Sequence, residues 1–220
     1  MITLRRLNRD EAVRYLGGAG IALNEKMNRL LQDCERELLS VIDAKFLYRV
    51  IDLPFDAIVK GRDIRGHLGG CDRAAVMCAT LGAAADRLLR VSQITDMSRA
   101  VVLDSLASAA VEQVCGEADA LLAERFPGTF MTFRFSPGYG DYPLDMQRTI
   151  LRLLDAPRKI GLTLNESLLL TPSKSVTAVI GLSDHPIPRG RRGCAVCSLR
   201  ETCAYRRKGS HCGFENTASE

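Results

Sequence analysis

The chain has 220 residues, 46% of them hydrophobic and 25% charged, which is the composition of an ordinary globular protein with room for one sizeable core. No run approaches the roughly 18 uncharged apolar residues of a membrane span, and the stretch MITLRRLNRDEAVRYL lacks the apolar segment of a secretory signal, so a cytoplasmic protein with no membrane partner is expected. The formal charge of +4 is unevenly placed: seven basic residues and one acid fall between Pro186 and Cys212, and Glu215 and Glu220 follow, which leaves residues 1–185 neutral.

Asn8 and Glu11 have the spacing of a capping box, in which the Asn side chain accepts from a backbone N–H three residues on and the Glu reaches back. A short helix follows. After Gly17-Gly18-Ala19-Gly20, a second helix begins near Asn24, with Met27, Leu30, Leu31, Cys34, Leu38 and Leu39 on one face. FLYRVIDLPFDAIV, residues 46–59, reads as strand interrupted at Pro54. AAVMCATLG, residues 74–82, reads as a buried strand, and a helix over Ala83 to Leu89 follows. Asp96 caps a long helix that stops at Pro127-Gly128 and whose alanine-rich centre implies tight packing. TFMTFRF, residues 129–135, alternates, which predicts a strand with Met131, Phe133 and Phe135 on one face and Thr132 and Arg134 on the other. LDMQRTILRLLDA predicts a helix with Leu144, Ile150, Leu151 and Leu154 inward, and KSVTAVIGL, residues 174–182, a final strand. Helices and strands alternate without a βαβ period. The expected fold is α+β, with a mixed or antiparallel twisted sheet, flanking helices and a small cysteine-rich tail. One domain over residues 1–185 and a basic tail over 186–220 follow from the charge shift. Neither GxGxxG nor GxxxxGK[ST] occurs, so nucleotide-phosphate binding has no support.

RFSPGYGDYP, residues 134–143, combines an arginine at a strand end with a Pro-Gly-Tyr-Gly turn. A guanidinium there offers a planar fork for a carboxylate. Gly138 lets backbone groups approach a ligand, and Tyr139 adds a flat face with a hydroxyl tip. An amino-acid-like ligand suits this set, although a structural turn with a solvated arginine would use many of the same residues.

RFSPGY resembles the Arg-x-x-x-Gly-Tyr motif of the activation domain of cobalamin-dependent methionine synthase, which binds S-adenosylmethionine. GLTLNES (161–167) is similar to that domain's Gly-x-x-Leu-Thr-Glu-Ser segment, and PSKSVTAVIGL (172–182) to its Pro-x-x-Ser-Val-x-Gly run. GRDIRGHLGGCDRAAVMCATLG, TDMSRAVVLDSLASAAVEQVC and the cysteine tail look like the short, free-standing members of the family, so the resemblance spans most of residues 1–206. It implies that Arg134 binds the ligand's carboxylate, that the Ser136 backbone, Gly138 and Tyr139 line the site, and that a glutamate on the preceding helix falls on Glu112, with Glu117 the alternative register. The family's Gly-Tyr-Pro is Gly-Tyr-Gly here, and the cysteine tail replaces the long domain's final segment.

The implied function is an S-adenosylmethionine-binding activation protein that supports reductive methylation of cob(II)alamin on a partner, either methionine synthase or another corrinoid protein. Methyl transfer from a sulfonium to cobalt needs positioning more than acid–base groups. The three histidines, His67, His185 and His211, sit in no nucleophile motif, and His67 reads as a surface or turn residue. The Asp-x-His-x-x-Gly cobalamin-ligating motif is absent, so the corrinoid must come from the partner.

Eight cysteines divide into two sets. Cys34, Cys71, Cys78 and Cys115 read as small buried hydrophobes. Cys194, Cys197, Cys203 and Cys212 are spaced C-x2-C-x5-C-x8-C, which suggests one metal centre: an iron–sulfur cluster, or alternatively structural zinc. A cluster would supply the electron that cob(II)alamin needs, and the basic surround would attract an acidic flavodoxin or ferredoxin. The alternative is a zinc-stapled module that docks a corrinoid protein without catalytic role. Nucleic acid is the third reading. Tyr205 is the one aromatic inside the knuckle and no recognition helix is evident, which disfavours it.

Overall fold

The computed structural model describes residues 2–17 and 23–187. The elements in chain order are α1 (Arg9–Tyr15), α2 (Glu25–Val41), β1 (Lys45–Asp52), α3 (Arg62–His67), β2 (Arg73–Thr80), α4 (Ala83–Thr95), α5 (Met97–Arg125), β3 (Phe130–Met131), α6 (Met146–Leu154), α7 (Ala156–Ile160), β4 (Thr163–Leu164), β5 (Leu170–Thr171) and β6 (Ser175–Ser183). The α+β class and the antiparallel sheet are as the sequence predicts. β1, β2, β6 and β3 lie side by side in that order, every neighbouring pair antiparallel, and β4 and β5 form a separate hairpin.

The central strands have no solvent face. Along β2, Ala75, Met77 and Ala79 pack with α1, α2, α4 and α5, while Ala74, Val76 and Cys78 pack with α3, α6 and α7. Along β6, Ala178, Ile180 and Leu182 join the first layer and Val179 the second. Burial on both faces explains why these strands read as continuous apolar runs rather than as alternation.

Local signals place the helix starts. Asn8, Asn24 and Asp96 each accept from the backbone N–H three residues on, at 3.0, 2.9 and 3.1 Å. The capping box at Asn8 is only half formed. Glu11 turns away to pair with Arg14, and the Asn8 N–H donates to Gln113 Oε1 of α5 at 2.8 Å instead. Gln113 Nε2 also donates to the Arg6 carbonyl at 3.3 Å, so α1 is tied to α5 by one amide. Ala100, Ala107, Ala109, Ala110 and Ala118 of α5 are buried, and the helix lies against α1, α2, α4 and the sheet, which is the close packing expected of small residues.

Several expectations need correction. The strand from residue 46 ends at Asp52, because Pro54 has no N–H to continue the ladder. The helix from Ala83 runs six residues past Leu89, to Thr95. Leu144 precedes α6 and is exposed, whereas Ile150, Leu151 and Leu154 are buried as predicted. Cys34, Cys78 and Cys115 are buried free thiols, but Cys71 is only half-buried. Burial pushes the Cys78 thiol up to about 12, so it is inert at neutral pH. No described helix is long and apolar enough to cross a membrane.

Leu106 of α5 is fully buried where the helix meets the core, while Ile94 is 87% exposed. Leu106→Ala should therefore cost about 3 kcal/mol in urea unfolding, and Ile94→Ala less than about 0.5 kcal/mol.

Candidate functional site

The segment from Phe130 to Phe135 is one residue longer than the strand it pairs with. Met131 lies opposite Leu182 and Phe135 opposite Val179, which leaves three residues, 132–134, facing two, 180 and 181. This is a β-bulge. Thr132 N–H still donates to the Gly181 carbonyl at 3.0 Å. The Gly181 N–H, however, donates to the Thr132 hydroxyl at 2.7 Å. The bulge changes which side chains share a face. Met131 packs with the α5 layer, whereas Phe133 and Phe135 pack with the α3–α6 layer. The predicted single face for all three is therefore wrong, because the alternation is interrupted at the extra residue.

The interruption turns Arg134 toward α5. Its Nη2 donates to Glu112 Oε2 at 2.9 Å and its Nη1 to Asp119 Oδ2 at 2.5 Å. Glu112 and Asp119 are seven residues apart and so share one face of the helix. Cys115 lies between them on that face and is fully buried, forming an apolar floor beneath the guanidinium. Burial pushes its thiol up to about 12, against the opposing effect of Arg134, which makes it a packing group rather than a nucleophile. The Arg134 side chain is 22% exposed. Two of its five N–H groups serve the acids, and the other three make no hydrogen bond to a described protein group. Glu112, the predicted glutamate, is thus in contact with Arg134, while Glu117 is exposed and makes no such contact.

Tyr15 ends α1 nearby. Its hydroxyl is pushed up by burial first and by Glu11 second, with Glu112 also contributing. The Arg14 guanidinium lies 4.8 Å over the Tyr15 ring.

The loop after Arg134 is pinned rather than loose. Tyr139 N–H donates to the Ser136 carbonyl at 3.2 Å, and Gly138 N–H to the Tyr142 carbonyl at 2.8 Å. The Ser136 N–H has no protein acceptor among the described residues. Asp141 caps α3, accepting from Arg62 N–H at 2.8 Å and Asp63 N–H at 2.9 Å, while Asp63 accepts from the Asp141 N–H at 3.0 Å. This reciprocal clasp explains Gly-Tyr-Gly. Gly140 has φ +56°, and a Cβ there would lie 2.1 Å from Asp63 Oδ2. The two backbone N–H groups hold the Asp141 carboxyl below its ordinary value. The clasp therefore contributes above the ordinary carboxylate range and is lost as pH falls through the lowered value.

Tyr139 is 69% exposed and meets Phe135 edge-on at 5.6 Å. His67 is not the loose surface residue expected. It is half-buried at the end of α3, with ring centroids 4.4 Å from Phe133 and 4.8 Å from Phe135, and its Nε2 lies 2.8 Å from the Thr132 hydroxyl. Below the loop, Tyr142 is 1% exposed. Burial pushes its hydroxyl up, and the oxygen has no partner among the described residues.

The structure thus brings Arg134 and Glu112 together on the α5 side and adds Asp119, which the sequence reading missed, whereas Ser136, Gly138 and Tyr139 follow in the turn, with Tyr139 against Phe135 of the other layer. A heptad count from Glu112 would have found Asp119. Cys194, Cys197, Cys203 and Cys212 lie outside the described residues. Among the described residues, no group of His, Cys, Asp and Glu side chains could hold a metal ion.

A three-layer α+β domain with an arginine at the lip of an edge-strand turn is the class that these observations define. Residues 71–186 match the family of the vitamin B12 dependent methionine synthase activation domain, and the chain belongs to that family. Glu112, Asp119 and the whole RFSPGY turn fall inside the matched stretch. The fold is also similar to the crystal structure of the MetH reactivation domain bound to AdoHcy, at a TM-score of 0.51 and 15% identity, over 85% of this chain and 74% of that one. No curated protein matches the sequence.

Gly140→Ala should destabilise the domain by about 1–2 kcal/mol, from left-handed strain and loss of the clasp, and should speed amide exchange over residues 138–142. Gly116→Ala, on α5 with nothing within 4 Å of the added Cβ, should stabilise it by about 0.5–1 kcal/mol in the same urea titration.

Proposed function

We propose that this protein binds S-adenosylmethionine at the Arg134 turn and supports reductive methylation of cob(II)alamin carried by a partner, a cobalamin-dependent methionine synthase or another corrinoid protein. The observation that carries the reading is the Arg134 guanidinium, held in place by Glu112 and Asp119 with three N–H groups to spare, within the stretch that matches the family. The AdoHcy in the similar reactivation domain supports the ligand class. On this reading Arg134 takes the ligand's carboxylate in a charge-assisted pair. The Ser136 N–H and the Gly138 backbone meet its polar edge, Tyr139 covers it, and Glu112 faces its ammonium group.

Cob(II)alamin, as substrate, takes up one electron. Cobalt then attacks the methyl carbon, the sulfur–methyl bond breaks with its electron pair on sulfur, and a cobalt–methyl bond forms. No proton moves, so the protein's part is to hold the methyl group in line.

We assign the tail, residues 186–220, to the electron. Cys194, Cys197, Cys203 and Cys212 would bind an iron–sulfur cluster, or zinc in its place, and a flavodoxin or ferredoxin would supply the reductant. The spacing of the four cysteines and their basic surround support this. The body, residues 1–185, has its own core and should fold without the tail.

Calorimetry should find S-adenosylmethionine bound by the wild type, and weaker binding by Arg134→Ala by about 2 kcal/mol or more, a factor of ~30. Equal affinities, or no binding by the wild type, would remove the site. Mixed with a cob(II)alamin-loaded methionine synthase module and a reductant, the wild type should generate the methylcobalamin spectrum and Arg134→Ala should not.

Protein purified without oxygen should be brown and contain iron and sulfide, and Cys197→Ala should lose both while keeping its affinity for S-adenosylmethionine. Colourless protein with one tightly held zinc would replace the electron role with docking.

A further inference from the structure

The sheet has a second margin, unlike the one beside the Arg134 turn. β1 is the other outer strand. Its eight residues pair with β2 in unbroken register, from Lys45 opposite Thr80 to Asp52 opposite Arg73. It carries no proline and no bulge, two devices that commonly blunt an edge. The ladder fixes where its backbone groups point. The Leu53 N–H, in step with the odd-numbered residues of β1, donates to the Asp72 carbonyl at 2.8 Å, so the odd-numbered residues aim at β2. Phe46, Tyr48 and Val50 therefore aim their N–H and C=O groups away from the sheet, where none meets a hydrogen-bond partner among the described residues. Their side chains form an apolar strip along that margin. Phe46 and Tyr48 stack at 5.6 Å, Tyr48 meets Phe126 edge-on at 6.4 Å, and Tyr48 stays 39% exposed.

We propose that β1 pairs antiparallel with β1 of a second copy of this chain about a two-fold axis, joining two four-stranded sheets into one of eight strands. An axis normal to the sheet keeps every side chain on its own face, so even-numbered residues meet even-numbered ones and odd meet odd. Two registers then give the longest overlap. One sets Arg49 directly against Arg49 of the other copy, and like charges so placed are destabilising. The other sets Tyr48 against Tyr48, Phe46 against Val50, Leu47 against Arg49 and Lys45 against Ile51. Each cation there lies beside an aliphatic side chain and never beside another cation, and Arg49 is already drawn back toward the Leu153 carbonyl at 3.5 Å. In that register Phe46, Tyr48 and Val50 each exchange two backbone bonds with the residue opposite. The occupant is a second copy because the strand complements itself about Tyr48, in backbone direction, apolar pattern and charge. The bulge blunts the β3 margin, so the extended sheet ends there and association closes at two. Both Arg134 turns then lie at the far ends, clear of the interface.

Sedimentation velocity on the full chain, at micromolar concentration under reducing conditions, tests the pairing. The wild type should run as a dimer of the 24.1 kDa chain. Val50→Pro removes only an outward N–H and sets a ring on the edge, and Tyr48→Lys sets two ammonium groups against each other. Both should run as monomers with the circular dichroism of the wild type. Should Val50→Pro fail to fold, Tyr48→Lys decides the matter, since it changes only a partly exposed side chain. Ile94→Lys, on the exposed face of α4, should remain dimeric. On mild oxidation Tyr48→Cys should form an interchain disulfide beyond any seen in the wild type, because the paired Cα atoms lie about 5.5 Å apart, within disulfide reach. Arg49→Cys should not. A monomeric wild type, or dimers that survive both edge substitutions, would overturn the proposal, and so would cross-linking through position 49 alone.

Discussion

The Gly181 N–H donates to a hydroxyl where a strand carbonyl would ordinarily stand, and the geometry of the site follows from that exchange. The Thr132 side chain closes the ladder at the bulge, and the extra residue reverses the facing of everything after it. Had the pairing at Met131 continued without it, Arg134 would point into the α3–α6 layer and Phe135 at α5. That arrangement would bury a cation among apolar side chains, a much larger penalty than the loss of one backbone bond. The site is braced from both sides. His67 contacts the Thr132 hydroxyl, and a Cβ at residue 181 would lie 2.5 Å from Cys71 Sγ. The close approach at Gly181 therefore needs glycine.

α5 is the other fixed member. Small buried residues let it lie close to α1, α2 and α4 as well as to the sheet, so its position relative to the edge strand is set by contacts along its length. Glu112 and Asp119 inherit that rigidity. Gln113, beside Glu112, holds the start of α1, which places Tyr15 near Glu112. The N-terminal helix lies outside the stretch that matches the family, yet it borders the residues that bind the guanidinium.

What could be read in advance followed the strength of local signals. Asn8, Asn24 and Asp96 marked helix starts because capping depends on a few adjacent residues. The apolar runs marked β2 and β6 because both faces are buried. Arg134 and its turn were legible through composition, and Glu112 through resemblance with its register left open. In the structure Glu112 pairs with Arg134 and shares a face of α5 with Cys115 and Asp119, while Glu117 is exposed and makes no such contact. The bulge was invisible. TFMTFRF alternates from Met131 to Phe135, and pairing to a strand 44 or more residues away, not local pattern, inserts the extra residue. The Asp63–Asp141 clasp was hidden for the same reason, since its partners are 78 residues apart. β4 and β5, two residues each, are too short for any periodicity to register.

The bulge also bears on how the molecule meets copies of itself. β3 is the outer strand of the sheet, and a long flat edge there would present a row of unpaired N–H and C=O groups ready to template another chain. The edge is instead two residues of regular strand, a kink, and then a single bridge at Phe135, with a guanidinium and two carboxylates alongside. Strand-to-strand stacking finds neither length nor register on that border. The irregularity that directs Arg134 thereby protects the protein against edge-to-edge aggregation.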